Sequence, residues 1–117
     1  MDWTSKMKLT DLDAEFLQYH ETDNRVFHRH KDTMEDANGV MFLCPKCFKE
    51  NGGARGTHSI ICWDPSVPLH AKPGPGRWNM VGTGLHDLSL VAGSSSVLLT
   101  DGCKWHGFVE NGVVRDA

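Results

Sequence analysis

The pattern of apolar and polar positions along this chain changes near residue 38. Before that point Leu12, Phe16 and Tyr19 recur at helical spacing, which predicts a short amphipathic N-terminal helix over residues 10–20. The rest of the N-terminal segment is polar, and its alternation over residues 25–30 permits a short exposed strand without requiring one. Residues 1–37 are therefore interpreted as one short helix and a polar segment.

Beyond residue 38, short apolar runs are separated by glycine and proline, a pattern typical of antiparallel strands joined by turns. The predicted strands cover residues 40–43, 58–63, 78–81, 88–91 and 97–100. Asn111-Gly112 predicts a tight hairpin turn between residues 105–110 and 113–115, because both residues tolerate positive φ. Asp101-Gly102 carries the same turn signal.

Length and composition favour one small domain that is mainly β, of the small α+β kind. The 117 residues are 39% hydrophobic and include twelve glycines but only four tryptophans, five phenylalanines and one tyrosine. A chain of this length forms a single domain in the ordinary case. We therefore expect one domain over residues 1–117, with residues 38–115 as its β portion and with a thin apolar core.

Charge and hydropathy exclude some classes of protein. The net charge of −3 argues mildly against a non-specific nucleic-acid binder. No apolar run is long enough to span a membrane, and the first residues lack the apolar stretch of a signal peptide. We expect a cytoplasmic location, where disulfides are rare, so the four cysteines are interpreted as metal ligands or buried thiols.

Two cysteine-containing pairs have the spacing of metal-binding knuckles. Cys44 and Cys47 form a Cys-x-x-Cys after an apolar strand, and Cys103 and His106 form a Cys-x-x-His after a predicted turn. Together they supply the three thiolates and one imidazole of a closed tetrahedral zinc site. The pattern predicts zinc-ribbon-like antiparallel strands stabilised by one structural Zn2+ per chain. About 55 residues separate the pairs, whereas ordinary ribbons have roughly 15–20.

Other interpretations of the cysteines remain open. A redox Cys-x-x-Cys requires a helix N-terminus, and Gly52 and Gly53 would stop a helix within about two turns. The two pairs are alternatively unrelated buried thiols. Cys62 competes with His106 as the fourth ligand, but it lies in an apolar strand, where cysteine usually packs as a small hydrophobe. We favour His106.

Ligand number favours a structural metal over a catalytic one. A catalytic zinc keeps one position open for water and usually has a carboxylate nearby. Here four ligands are available and no glutamate adjoins either pair. Since the core is thin, we expect the metal-free chain to unfold or aggregate.

Other histidines suggest an alternative, enzymatic function. His58 shares a strand face with Ile60 and Cys62 and is a candidate pocket residue, although a hydrogen-bonded histidine at a strand end is the simpler interpretation. His86 and Asp87 resemble an acid–base pair, but neighbours on a strand point to opposite faces. A pocket of these three polar residues would suit a hydrolase. His28-x-His30 offers two ligands for a second metal and no third.

A binding surface is the leading alternative to catalysis. Candidate binding residues are Arg55, Arg77 and Trp78, which can contact a protein or nucleic acid through charge and stacking. His58 follows Arg55 closely in the sequence and is a fourth candidate. The glycine-rich segments 51–56 and 74–78 lack the helix or the lysine of a phosphate-binding loop.

Parts of the sequence resemble a group of small phage and prophage proteins that form a domain of unknown function. The resemblance covers five segments: 40–48, 56–63, 73–78, 87–90 and 102–112. Members share Cys-Pro-x-Cys after an early strand and Cys-x-x-His before a closing hairpin, which match Cys44, Cys47, Cys103 and His106 here. Some carry an ammonia-monooxygenase label, a chemistry that suggests copper and membrane spans. The resemblance adds little about activity. Our leading interpretation is a non-catalytic, phage-type accessory protein in the host cytoplasm that acts on a host protein or nucleic acid and not on a membrane, and a hydrolase is the alternative.

Overall fold

The computed structural model of the chain describes residues 6–72, 76–92, 97–98 and 105–116, and their regular structure is mostly antiparallel strand. The strands are β1 (Lys6–Lys8), β2 (Glu15–Glu21), β3 (Val26–Lys31), β4 (Gly39–Leu43), β5 (Ser59–Trp63), β6 (Asn79–Val81), β7 (Ser89–Val91), β8 (Val97–Leu98), β9 (His106–Glu110) and β10 (Val113–Asp116). One α-helix, α1 (Pro45–Asn51), and two short 3-10 turns, Leu9–Leu12 and Met34–Asp36, complete the described elements. The prediction of a mainly β fold is confirmed. None of the helices described is long and apolar enough to cross a membrane.

The strands form three sheets, and every pairing among the described residues is antiparallel. The strand orders are β1-β10-β9-β8, β3-β2-β4-β5 and β6-β7. In the second sheet β4 pairs with β5 along its full length, with Val40 opposite Cys62 and Phe42 opposite Ile60. This pairing brings the cysteine pair that follows β4 next to the histidine that precedes β5.

Apolar side chains cover both sides of the second sheet. The larger core cluster, which includes Phe16, Val40 and Phe42, lies on one side. A smaller cluster of Leu17, Trp63, Val67 and Ala71 lies on the other. Consecutive residues of a strand point to opposite faces, so Phe16 and its neighbour Leu17 enter different clusters.

The predicted helix over residues 10–20 is wrong. Residues Leu9–Leu12 form a 3-10 turn that ends at Asp13 in the left-handed region, with φ 49°, and β2 begins two residues later. Burial on both faces of β2 removes the alternation that marks a half-buried strand, and the remaining spacing of large side chains imitates a helix.

The later strands follow the sequence pattern closely. The predicted strands at 40–43, 58–63, 78–81 and 88–91 are confirmed as β4, β5, β6 and β7, with ends shifted by one residue at most. The closing hairpin is also confirmed, since Asn111 and Gly112 have φ values of 50° and 76°. Of the strand at 97–100, β8 covers the first two residues, and the rest, like Asp101-Gly102, lies outside the described residues.

Candidate metal centre

The end of β4 and the start of α1 place two thiols close together. Pro45 occupies the first helical position, where its fixed φ suits a helix and its missing N–H costs nothing. Cys44 is the N-cap residue, and the Phe48 N–H donates to its carbonyl oxygen at 2.9 Å. Cys47 follows in the first helical turn. The Cys-Pro-x-Cys sequence therefore forms a strand-to-helix corner with both thiols at one end of the helix.

An ordered loop after α1 returns the chain to this corner. Gly52 ends the helix in the left-handed conformation, with φ 70°. The Asn51 Nδ2 donates to Thr57 Oγ1 at 3.2 Å, and Thr57 Oγ1 donates to the Gly53 carbonyl at 2.7 Å. The Cys44 N–H then donates to the His58 carbonyl at 2.9 Å, one step beyond the β4–β5 pairing. Backbone hydrogen bonding thus fixes His58 beside Cys44.

Cys44, Cys47 and His58 are positioned close enough to bind a metal ion. One ligand atom from each residue lies within 4.8 Å of the other two. Two thiolates bound tetrahedrally at about 2.3 Å from one ion are ~3.8 Å apart, so small side-chain rotations suffice to close the site. Cys44 is buried, Cys47 is half-buried and His58 is exposed, so the centre extends from the core to the surface.

The four ligands expected from the sequence are only partly described by the structure. Cys44 and Cys47 do lie together, whereas Cys103 lies outside the described residues. His106 is exposed at the start of β9, with its ring 6.2 Å from that of Phe108, and it is not a member of the group. His58, which the sequence suggested as a pocket residue, provides the imidazole at this group.

The position of His58 beside Cys44 could have been predicted from the sequence, through the register of two paired strands rather than through the spacing of a motif. Predicting β4 and β5 as antiparallel neighbours joined by a short helix and loop aligns the residue after β4 with the residue before β5. Those residues are Cys44 and His58. The glycine-rich loop between them concealed the relation, because it makes the Cys-to-His spacing unlike that of ordinary knuckles.

Cys62 belongs to the core, as its place in an apolar strand indicated. Its side chain is buried opposite Val40, and burial alone raises the pKa of its thiol to about 12. A thiol with so high a pKa is not a nucleophile at neutral pH, and Cys62 is not a member of the Cys44–Cys47–His58 group.

The other predicted binding residues have separate surroundings. Arg77 Nε donates to the Val67 carbonyl at 3.1 Å and its Nη2 to the Ala71 carbonyl at 3.0 Å, so the guanidinium holds the 67–71 loop together. Trp78 is half-buried against the larger core cluster. Arg55 is exposed in the loop that follows α1.

The residues of the predicted hydrolase pocket also have local roles. Asp87 accepts hydrogen bonds from Thr83 N, Thr83 Oγ1 and Gly84 N at 2.8, 2.8 and 2.9 Å. These bonds lower the pKa of its carboxyl to about 2. His86 is exposed, with Nε2 3.9 Å from Asp87 Oδ2. This pair therefore stabilises a turn and, within the described residues, is separate from the Cys44–Cys47–His58 group.

The His28-x-His30 pair lacks a complete metal site among the residues described. His30 Nδ1 lies 2.6 Å from Glu15 Oε2, and the rings of His28 and His30 are 6.1 Å apart. No third ligand atom joins them in a compact group within the described part of the chain.

The chemistry of the centre is that of a small soft-metal site. Two thiolates and one imidazole suit zinc and related divalent ions better than magnesium or calcium, which prefer oxygen ligands. A bound ion would join the end of β4, the first turn of α1 and the start of β5. Comparison of the chain with protein-family models, curated proteins and solved structures gives no match.

Proposed function

We propose that this protein is a non-catalytic binding module whose fold is held by one structural Zn2+ at Cys44, Cys47 and His58. The observation that carries the proposal is the convergence of two thiols and an imidazole within 4.8 Å of one another. Thiolate and imidazole are the ligands of structural zinc sites. Zinc would supply no chemistry here beyond cross-linking three segments of the chain.

Cys103 is the fourth ligand in this proposal. Trp105 packs edge-to-face on Phe42, with ring centroids 6.3 Å apart, and its Nε1 donates to Asp116 Oδ1 at 2.8 Å. The start of β9 is thereby held next to β4. Cys103 precedes Trp105 by two residues in the sequence. His58 then takes the imidazole position that the motif spacing assigned to His106.

The module acts, in this proposal, as a small phage-type accessory protein in the cytoplasm, on a host protein or on nucleic acid. The resemblance of five sequence segments to phage and prophage proteins supports this role. The involvement of Asp87 in a turn, rather than in a pocket with His58, weakens the hydrolase alternative.

A dithiol redox protein is the second candidate, and one observation favours it. Cys44 caps α1 and Cys47 lies in its first turn, the placement of the two cysteines in dithiol redox motifs. The helix has only seven residues and ends at Gly52, as the glycines predicted. His58 beside both thiols favours a metal ligand set over a redox pair.

Metal content and affinity of ligand variants test the proposal. The wild-type chain should bind one Zn2+, and alanine at Cys44, Cys47, His58 or Cys103 should weaken zinc binding by more than ~100-fold, since loss of a mere outer-shell partner costs about 10–100-fold. Cys62→Ala is the matched control, because it removes a cysteine outside the site. Substitution with Co2+ should give a tetrahedral spectrum with thiolate-to-metal bands.

The alternatives predict different results in the same assay. If Cys103→Ala leaves metal affinity and the Co2+ spectrum unchanged, the ion has three protein ligands and an open position, which contradicts a closed structural site. If the chain binds no metal and Cys44 and Cys47 cycle between dithiol and disulfide, the redox interpretation replaces the present one.

A further inference from the structure

The hairpin of β2 and β3 extends beyond the body of its sheet. β2 pairs with β3 from Phe16 to Glu21 but with β4 only from Glu15 to Leu17. The outer part of the hairpin is therefore a two-stranded ribbon, and β3 is the edge of the sheet. An isolated two-stranded ribbon is marginally stable in water, so contacts on one of its faces must hold this one in place.

The face of the hairpin that points toward Trp63 provides those contacts. The Tyr19 and His28 rings lie 5.6 and 6.2 Å from the Trp63 ring, both edge-on. Both carboxylates of β2 are on this face and have partners. Glu15 contacts His30 at 2.6 Å, and Glu21 contacts His70 at 2.6 Å.

The opposite face carries cations and an aromatic ring. We name as the basic strip the alternating residues Arg25, Phe27, Arg29 and Lys31 of the hairpin. The Arg25 and Arg29 guanidinium carbons lie 4.9 and 5.6 Å from the centroid of the Phe27 ring. Across the strands, His20 stacks on Phe27 with centroids 5.0 Å apart and an interplanar angle of 15°.

The basic strip is a positively charged surface on a protein of net charge −3. None of the ion pairs found among the described residues includes Arg25, Arg29 or Lys31. The one acidic residue between positions 22 and 31 is Asp23, at the hairpin turn. Alternate residues of a strand are ~7 Å apart, so the three cations form a line of about 20 Å.

One polar atom inside this surface has no partner. His20 Nε2 is buried and makes no hydrogen bond within the described part of the chain. Its ring stacks on Phe27 at the centre of the strip. Buried polar atoms are usually hydrogen-bonded. His20 Nε2, at the centre of the strip, therefore lacks the hydrogen bond that such an atom normally makes.

We propose that the basic strip binds single-stranded nucleic acid. Arg25 and Arg29 would contact backbone phosphates, for which the guanidinium fork is well shaped. The exposed guanidinium planes would stack with bases, as in sequence-tolerant recognition of single strands, and the Phe27 ring against which both pack would hold them in place. An acidic peptide would match the charge but would leave these flat surfaces unused. The inference rests on the binding-module part of the proposed function and names its partner.

The test is fluorescence anisotropy of short labelled oligouridylate and oligodeoxythymidylate with the zinc-loaded full chain. The double variant R25A/R29A should raise Kd at least ~10-fold at about 50 mM salt. Since each lost phosphate contact lowers the salt slope by about 0.7 for single strands, the double variant should flatten log Kobs against log salt by ~1.4. K8A/K72A, which removes two exposed cations elsewhere, should change Kd by less than about 2-fold.

Phe27→Leu separates the positioning of the guanidinium planes from their charge, because it removes the ring against which both pack and keeps all the cations. We expect it to weaken binding several-fold with an unchanged salt slope. Circular dichroism and metal content of every variant confirm folding. If the strip variants bind oligonucleotide as tightly as the wild type while all of them hold metal, this inference is overturned and the metal centre stands. If the wild type binds no metal, the proposed function fails instead.

Three further results would overturn the proposal. The first is that the wild type binds neither oligonucleotide at low salt, and the second is that K8A/K72A weakens binding as much as R25A/R29A. The third is that polyglutamate binds as tightly as the oligonucleotides with the same dependence on Arg25 and Arg29, which would assign the strip to an acidic protein partner.

Discussion

Cysteines of this chain have different chemistry because their surroundings differ. Cys62 lies in the apolar interior of a sheet, and its thiol is held protonated by burial. Cys44 is equally buried but lies at a strand-to-helix corner, where Cys47 and His58 converge on it. Motif spacing identified Cys44 and Cys47 correctly as a pair. The spacing did not reveal His58, because its place depends on the register of two strands.

Cys62 should resist alkylation in the folded protein. A thiol whose pKa is about 12 is almost entirely protonated at pH 8, and only the thiolate reacts. Mass spectrometry after iodoacetamide treatment of the zinc-loaded chain should find Cys62 unmodified, and the same treatment in denaturant should modify it. Modification of Cys62 under folding conditions would contradict its assignment to the core.

Asp87 should make stability depend on acid pH. Its carboxyl has a pKa of about 2 in the folded chain against an ordinary value of 3.8, so the unfolded state binds the proton more readily. The stabilisation is complete above pH ~4 and is lost as the pH falls toward ~2. Asp87→Ala should lower the urea midpoint at pH 7 and flatten this part of the pH profile. An unchanged profile in the variant would show that the turn does not depend on the carboxylate.

At the scale of elements, sequence patterns succeeded where one local rule decides the structure. Asn111-Gly112 predicts its hairpin because both residues accept positive φ, and the apolar run before Cys44 predicts β4. The patterns failed for β2, whose neighbours Phe16 and Leu17 are both buried on opposite faces. Leu17 is buried as well as Phe16 because a second apolar cluster covers the other face of the sheet. That cluster forms only in the tertiary structure.

Substitution of two glycines, Gly52 and Gly112, allows the cost of backbone strain to be measured separately from the cost of a steric clash. Gly52 and Gly112 both have positive φ, but a Cβ on Gly52 meets nothing within 4 Å, whereas one on Gly112 collides with the His86 carbonyl oxygen. Gly52→Ala should cost about 1 kcal/mol of unfolding free energy. Gly112→Ala should cost at least ~1 kcal/mol more, since the obstacle is backbone.

Urea unfolding of both variants at saturating zinc measures this difference. The cost of positive φ is common to both variants and cancels in the comparison. The additional loss of unfolding free energy in Gly112→Ala therefore measures the contact between the β9–β10 turn and the His86 backbone. Equal destabilisation of Gly52→Ala and Gly112→Ala would mean that this contact yields without cost.

For the whole molecule, a metal ion bound at Cys44, Cys47 and His58 would compensate for a small apolar core. The larger cluster joins the three sheets around residues such as Phe42 and Trp105, and the ligands follow directly from β4 and precede β5. Apparent zinc-binding free energies of about 10–16 kcal/mol equal or exceed the usual stability of about 5–15 kcal/mol for a whole domain. In the proposed function, folding and metal binding are therefore one process.

Composition and spacing together predicted a metal-stabilised β fold, but not the geometry of its site. The cysteine pair could be identified from Cys44 and Cys47 alone, since their spacing is local. The third ligand required a sheet in which β4 and β5 are neighbours, and the basic strip required a hairpin in place of the predicted helix. Both depend on pairing between distant segments, which no local pattern encodes.

Thermal unfolding of the zinc-loaded chain, before and after removal of the metal by a chelator, tests the central claim most directly. Circular dichroism should show a cooperative transition for the loaded protein and its loss, through unfolding or aggregation, for the metal-free protein. Restoring Zn2+ should recover the transition in the wild type and in Cys62→Ala, but not in Cys44→Ala. A metal-free protein with an unchanged melting curve would contradict the account.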